Sequence, residues 1–316
     1  MVLARHRCGV RVPLLVTGPE VDGRLVCLLC RADPHRLPKL VPVHAGAGGV
    51  SDSRKPRDVL AGLQDWKDAH LTQLDGGLTN RSWLVEADGR KAVLKIDDQP
   101  RVEPYNSRAA EAQIQARAAG RGLAPGVLHH DERVLLTEYV EGVVWEPDCL
   151  KRDDNIELVA SALRRLHALP LTGRSFDSLV AARRYVASIK NADAALATHC
   201  TQVIGSMRQP HNLCCCHNDL VAANILTVPE MMFLDWEYAC DNDPFFDLAT
   251  IVEHHELDDD TASRLLDAYF DGDGERWRPK LLEQQTLYLA LYWLWLASRS
   301  ESTQDELAAV AERIGA

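Results

Sequence analysis

The sequence predicts an α+β fold in two lobes: a small N-terminal lobe of antiparallel sheet plus helix, then a larger, mostly helical C-terminal lobe. Three observations lead there. Short β-type runs surround one helical stretch between His70 and Val140; apolar residues recur at helical spacing beyond Gly142; and a single strand-like island, residues 213–236, interrupts that helical half. A chain of 316 residues is long enough for two such units. Composition places the boundaries at 1–56 for a basic extension, 57–141 for the N-lobe and 142–316 for the C-lobe.

The extension differs from everything after it. Residues 1–56 carry nine Lys and Arg against four acids, a charge of +5, which leaves −16 for the rest of a chain whose net charge is −11. Pro13, Pro19, Pro34, Pro38 and Pro42 interrupt it too often for a helix of normal length, so little fixed structure is expected. Cys27-Leu-Leu-Cys30, with Cys8, His6, His35 or His44, is a weak zinc signal because no second correctly spaced pair accompanies it.

From residue 59 the pattern becomes regular. His70–Leu74, Ser82–Glu86 and Lys91–Ile96 read as strands, the last two joined through Asp88-Gly89, a strong hairpin signal. Ser107 caps a helix running to Ala119 that ends at Gly120 or Gly122, and Val127–His130 and Val134–Val140 add two strands. In the C-lobe, Ile156, Val159, Leu163 and Leu166 mark a helix, and others are expected near 177–189, 193–207, 247–255, 259–270, 279–298 and 303–313. The island supplies strands over Leu213–Cys216, Asn224–Val228 and Met231–Trp236.

Composition excludes several classes. The longest unbroken apolar run, Leu287 to Ala297, falls short of the ~20 residues a membrane span needs. The negative net charge offers no broad basic footprint, so nucleic acid is not an expected partner, while cations are favoured. Nine cysteines, three of them adjacent at 214–216, cannot form a disulfide framework; free thiols imply a reducing compartment, hence a cytoplasmic location.

The island carries the chemistry. In His217-Asn218-Asp219-Leu220-Val221-Ala222-Ala223-Asn224, an Asp is followed five residues later by an Asn, the spacing of a kinase catalytic loop, where the Asp accepts the attacking hydroxyl's proton and the Asn holds a metal. Asp235 follows eleven residues on. A hairpin centred between Pro229 and Glu230 pairs Thr227 with Met232, Ile225 with Leu234 and Asn224 with Asp235, close enough for an amide oxygen and a carboxylate to share one hard cation. Gly76, Gly77, Thr79 and Asn80 lie in a Gly-containing loop between strands, where the backbone can approach a phosphate. Counting back from the Asp88-Gly89 turn sets Lys95 opposite Ser82, beside that loop, and Glu111 on the following helix is positioned to pair with it, the Lys–Glu arrangement of protein kinases. Lys95 also reads as an ordinary strand lysine, and Glu111 as a solvated helical residue. His167 reads as an interior structural histidine, and Asp271-Gly-Asp-Gly274 as a helix-ending turn that lacks the last ligand of a calcium loop.

At these residues, roughly 60 to 300, the chain resembles the choline/ethanolamine kinase branch of the aminoglycoside-phosphotransferase-like kinases, relatives of the protein-kinase fold. His217-Asn218-Asp219 with Asn224, Leu234-Asp235-Trp236-Glu237-Tyr238-Ala239 and Asp243-Pro244-Phe245-Phe246-Asp247-Leu248-Ala249 carry the resemblance, and Gly76-Gly77-Leu78-Thr79-Asn80 resembles the family's nucleotide loop. The resemblance implies a two-lobed protein-kinase-like fold and ATP with Mg2+ as cofactors. It further implies Asp219 as catalytic base, Asn224 and Asp235 as metal ligands, Lys95 as phosphate contact with Glu111 as partner, and a hinge with Glu138 and Tyr139 at the adenine. His217 and Asp247 would brace the loop. The implied activity is phosphoryl transfer to a primary hydroxyl of choline or ethanolamine. Thiamine kinases share most of these motifs, an aminoglycoside phosphotransferase and an inactive nucleotide-binding module are further alternatives, and the extension has no counterpart.

A small cationic alcohol calls for aromatic faces and carboxylates. Trp236, Tyr288, Tyr292, Trp293 and Trp295 are the candidates, with Glu237 and Asp241 adding negative charge; Tyr288, Tyr292 and Trp295 fall on one helical face and Trp293 points away from it. The same stripe is equally what a helix buried in a core presents. Oligomeric state is not legible.

Overall fold

The computed structural model describes residues 54–74, 81–98, 101, 106–190, 192–300 and 302–315, so the extension before Arg54 and the loop holding Gly76, Gly77, Thr79 and Asn80 lie outside the described residues. A short helix, α1 (Pro56–Ala61), leads into strands β1 (His70–Leu74), β2 (Arg81–Ala87) and β3 (Arg90–Ile96), helix α2 (Arg108–Ala119), and strands β4 (Val127–His130) and β5 (Val134–Glu138). These strands form an antiparallel sheet in the order β1-β2-β3-β5-β4. Asp88 and Gly89 both take positive φ, 50° and 73°, as a tight hairpin with right-handed strand twist requires, and Ser82 stands opposite Lys95 as the turn dictates. Along β3, Ala92, Leu94 and Ile96 enter the lobe's core while Lys95 takes the other face. The Ser107 hydroxyl accepts the Ala110 N–H at 3.2 Å and starts α2.

The C-lobe comprises α3 (Asp153–His167), α4 (Ser178–Ser188), α5 (Ala194–Ser206), α6 (Pro244–His254), α7 (Asp259–Tyr269), α8 (Arg278–Ser298) and α9 (Gln304–Ile314), with the short strands β6 (Val143–Val144), β7 (Cys214–Cys216), β8 (Ile225–Thr227), β9 (Met231–Phe233) and β10 (Cys240–Asn242). Helix α8 is buried on every side from Leu287 to Ala297 because α4, α5, α6 and α9 surround it. Gly142 lets the interlobe connection run against β8: a Cβ there would lie 2.7 Å from the Thr227 carbonyl oxygen. Among the described residues no helix is long and apolar enough to cross a membrane, and the cysteines are free.

The structure corrects several boundaries. The strand expected over Met231–Trp236 ends at Phe233, and Trp236–Tyr238 is one turn of 3-10 helix. The helix expected from 247 begins at Pro244, because the Asp243 carboxylate caps it through the Phe245 N–H at 3.0 Å. The segments α1, β6 and β10 were not expected.

Candidate active site

The segment after β7 is held by Asp247, in the first turn of α6 and without exposure. The backbone N–H groups of His217 and Asn218 donate to its two carboxylate oxygens at 2.9 and 2.7 Å, and His167 Nε2 lies 3.1 Å from Oδ2. Asn218 needs that hold, because its φ of 65° lies in the left-handed region, which costs a residue bearing a Cβ about 1–2 kcal/mol. Its amide nitrogen donates to the Tyr238 carbonyl at 3.0 Å, and its amide oxygen accepts from Asn242 at 2.8 Å. His217 Nε2 lies 2.9 Å from the Leu234 carbonyl oxygen.

Asp219 comes next, 1% exposed. The Asn224 amide nitrogen donates to the carbonyl and to Oδ2 of Asp219, at 2.8 and 2.9 Å. With its NH2 committed there, Asn224 keeps its amide oxygen as a hard donor.

The hairpin that follows departs from the expected register by one residue. Thr227 pairs with Met231, Leu226 with Met232 and Ile225 with Phe233 around a three-residue loop centred on Pro229, in which the Val228 N–H donates to the Glu230 carbonyl at 2.9 Å. Asn224 therefore faces Leu234, whose N–H donates to its carbonyl at 2.8 Å, and the expected Asn224–Asp235 pairing is not made. Asp235 follows in left-handed backbone, φ 63° and ψ 67°, where the chain bends out of the strand.

Lys95 reaches across the lobes to Asp235, Nζ to Oδ1 at 2.7 Å, both side chains being largely but not fully buried. The expected Lys95–Glu111 pair is absent. Glu111 is taken by Arg108, three residues earlier on α2, at 2.6 Å, and by Arg101 at 3.7 Å. Arg101 binds Glu237 at 2.7 Å and Asp97 at 3.1 Å, and Arg108 binds Asp97 at 2.7 Å. This buried network joins the N-lobe to the residue two beyond Asp235. Burial opposes the Arg101 charge, but Glu237, Glu111 and Asp97 outweigh it and raise its pKa. Burial pushes the Glu237 carboxyl up, Arg101 pulls it down, and Asp235 and Glu111 push it up further.

The remaining candidates separate. Trp236 is wholly buried, its indole N–H donating to the Phe233 carbonyl at 2.9 Å and its ring 4.9 Å from that of His217. Tyr288, Tyr292 and Trp295 form a buried stack with centroids 5.8 and 5.7 Å apart. The Arg299 guanidinium lies 4.7 Å from the Trp295 centroid, so Trp295 is held between neighbours of its own chain. Trp293 is buried off that stack, its indole nitrogen without a hydrogen-bond partner. The Glu138 carboxylate accepts the Gly126 N–H at 3.1 Å, and Lys91 lies 5.5 Å from the Tyr139 ring centroid.

Sequence reasoning passed over Tyr238 as a binding residue, whereas Tyr288 was among its aromatic candidates. Burial raises the pKa of the Tyr238 and Tyr288 hydroxyls, helped at Tyr238 by the charge of Glu237 and at Tyr288 by that of Asp219. The Trp-Glu-Tyr turn held the signal for the first. Arg101 gave none.

The donor set, an Asn oxygen and a carboxylate beside a second carboxylate held by an Asn, suits a hard divalent cation, and Lys95 beside it suits a phosphate. The phosphotransferase enzyme family model matches residues 70–280, and the chain belongs to that family. Its likeness runs to the choline/ethanolamine kinase branch. A stretch of 213 residues is 32% identical to protein LicA of Haemophilus influenzae, covering 61% of this chain and 61% of that protein's length. A choline/ethanolamine kinase family protein of Mesorhizobium loti superposes with a TM-score of 0.63 at 27% identity, covering 82% of this chain and 91% of that one. The choline kinase LicA of Streptococcus pneumoniae shares the fold, with a TM-score of 0.67 at 18% identity over 82% of this chain and 95% of that one.

Proposed function

We propose that the chain is an ATP-dependent kinase that phosphorylates the primary hydroxyl of a small cationic amino alcohol, choline or ethanolamine. What supports this reading is that Asn224 holds Asp219, Lys95 reaches Asp235 from the other lobe, and the Leu234–Asn224 backbone bond sets the two pairs side by side in this family's fold. Asp219, fixed by Asn224, would receive the hydroxyl proton as the oxygen attacks the γ-phosphorus. Lys95 would exchange part of its interaction with Asp235 for a phosphate oxygen. Asn224 and Asp235 would hold Mg2+, which neutralises charge on the phosphates when bound. Such transfers depend on positioning and charge neutralisation more than on covalent catalysis. At the hinge the Glu138 carboxylate is engaged with the Gly126 N–H, and the Glu138 and Tyr139 N–H groups donate to the Gly126 and Lys91 carbonyls, so adenine would meet other backbone groups of this segment.

The cationic head would lie toward Tyr238, in the turn that follows Asp235, and toward the stacked Tyr288 and Tyr292; Trp236 and Glu237 would act as supports. Ring faces attract a quaternary ammonium that cannot donate a hydrogen bond. A coupled ADP-release assay with choline, ethanolamine, thiamine and an aminoglycoside side by side tests the reading. Release should depend on choline or ethanolamine and vanish in Asp219→Ala. Release with the aminoglycoside alone, or nucleotide binding without turnover on any acceptor, refutes it.

A further inference from the structure

Behind the catalytic loop lies a cluster that phosphoryl transfer does not use. Cys214 and Cys216, two apart on β7, project to the same face of the strand, and their sulfurs lie 3.5 Å apart. His167, the last residue of α3, meets them there, and one ligand atom from each of the three residues falls within 4.8 Å of the others. We propose that His167, Cys214 and Cys216 form a binding site for a thiophilic d10 cation of the zinc class.

The distances suit such an ion, since two thiolates on one tetrahedral zinc, each at ~2.3 Å, stand about 3.8 Å apart. The surroundings suit it as well. A metal-bound histidine characteristically gives its other ring N–H to a carboxylate, and His167 Nε2 lies 3.1 Å from Asp247. That leaves Nδ1 for the ion. Nδ1 now lies 2.7 Å from the Tyr269 hydroxyl, which would have to swing aside to admit the ion. Cys216 is wholly buried while Cys214 is partly exposed, so the ion has an entry side and a closed side. Cys216 Sγ also lies 3.6 Å from the carbonyl oxygens of Asn242 and Asp243, contacts its thiol proton serves and a thiolate would give up. Burial keeps the Cys216 thiol protonated, but a coordinated cation displaces that proton outright. Loading therefore exchanges two thiol protons, released to solvent, for two metal–sulfur bonds. Because Asp247 also holds the N–H groups of His217 and Asn218, an occupied site would brace the catalytic loop from behind.

The test titrates the chelator-stripped full chain with Zn2+ against a chromophoric competitor, and with Cd2+ while following the ultraviolet thiolate-to-metal band. Two variants accompany the natural chain. Cys27→Ser/Cys30→Ser removes the other sequence-adjacent thiol pair and should keep one tight site with the cadmium intensity of two thiolates. Cys214→Ala, at a partly exposed position, should bind at that site more than about 100-fold more weakly, because a direct ligand is lost where even outer partners change affinity 10–100-fold. The inference is overturned if the Cys214→Ala isotherm superimposes on that of the natural chain, or if Cys27→Ser/Cys30→Ser binds neither ion.

Discussion

Replacing Asp247 by asparagine removes one charge and one acceptor from a fully buried junction. The carboxylate accepts the N–H groups of His217 and Asn218 at 2.9 and 2.7 Å and lies 3.1 Å from His167 Nε2. An amide of the same shape can accept through one oxygen only, and its NH2 must point a donor at another donor. One charge-assisted bond is lost, about 1.5–3 kcal/mol, and a buried N–H is left unpaired, about 1–3 kcal/mol more, so Asp247→Asn should cost about 2.5–6 kcal/mol. That is a large part of the ~5–15 kcal/mol by which a domain is stable. The activity should fall further than stability explains. Asn218, at φ 65°, would relax toward an ordinary conformation, carrying Asp219 with it, and a displacement near 1 Å lowers kcat by about 100-fold. Urea unfolding followed by tryptophan fluorescence gives the first quantity, and ADP release at saturating acceptor the second. An unfolding free energy within about 1 kcal/mol of the natural chain, together with unchanged kcat, would refute the bracing role.

Three further outcomes follow from the same structure. Arg101→Met strands Glu237 among buried carboxylates and should cost about 3–5 kcal/mol. Without Arg101 the already raised Glu237 pKa rises further, and since a raised carboxyl pKa means stability lost as pH rises through it, the variant should unfold at lower urea at pH 8 than at pH 5; the opposite order would sink the assignment. Burial lowers the His255 pKa from 6.5 to about 4, so the stability its neutral ring contributes is present above pH 6.5 and lost as pH falls toward 4, by about 3 kcal/mol in all. His255→Gln should flatten the urea midpoint across that interval, and an unchanged slope would count against it. The buried Tyr292 hydroxyl has no hydrogen-bond partner, so Tyr292→Phe should leave the melting temperature unchanged or raised, and the acceptor KM within about twofold if only the ring face matters; a drop in melting temperature would show that the hydroxyl is satisfied.

What could be read in the sequence is what local chemistry decides. Asp88-Gly89 sets a turn, the turn sets the register, and the register places Lys95 opposite Ser82 with no help from the rest of the fold. Ser107 starts α2 for an equally local reason. The hairpin after Asn224 was not legible because Val228-Pro229-Glu230 contains no glycine or asparagine to fix a turn type, and strands of three residues have too little alternation to correct a slip of one. Lys95's choice of Asp235 over Glu111 rests on Arg108 and on Arg101, which lies alone between Pro100 and Val102 with no periodic pattern to flag it. Strand β10 contains Asp241 and Asn242, residue types depleted in strands; β7 pairing and the Asn242–Asn218 bond make it a strand.

Among the described residues, two ion pairs cross from the N-lobe to the turn at Asp235, and they differ in the property that decides what each can do. Lys95–Asp235 keeps 19% and 15% side-chain exposure, whereas Arg101–Glu237 keeps 5% and 1%. Water can solvate the first pair as it opens, so a phosphate and a hard cation can compete for its members at modest cost. Opening the second would strand a carboxylate among Asp97 and Glu111, at about 3–5 kcal/mol. The lobes are therefore pinned beside the site by a pair that does not exchange, while the pair within the site can. On the proposed function, nucleotide binding should rearrange Lys95 and Asp235 while the Arg101–Glu237 pair stays closed. On that reasoning raised ionic strength should shift the apparent nucleotide affinity, which depends on the partly exposed charges, and leave the urea midpoint nearly unchanged, because the buried pair is barely screened. Equal salt sensitivity of both quantities would contradict the division of labour.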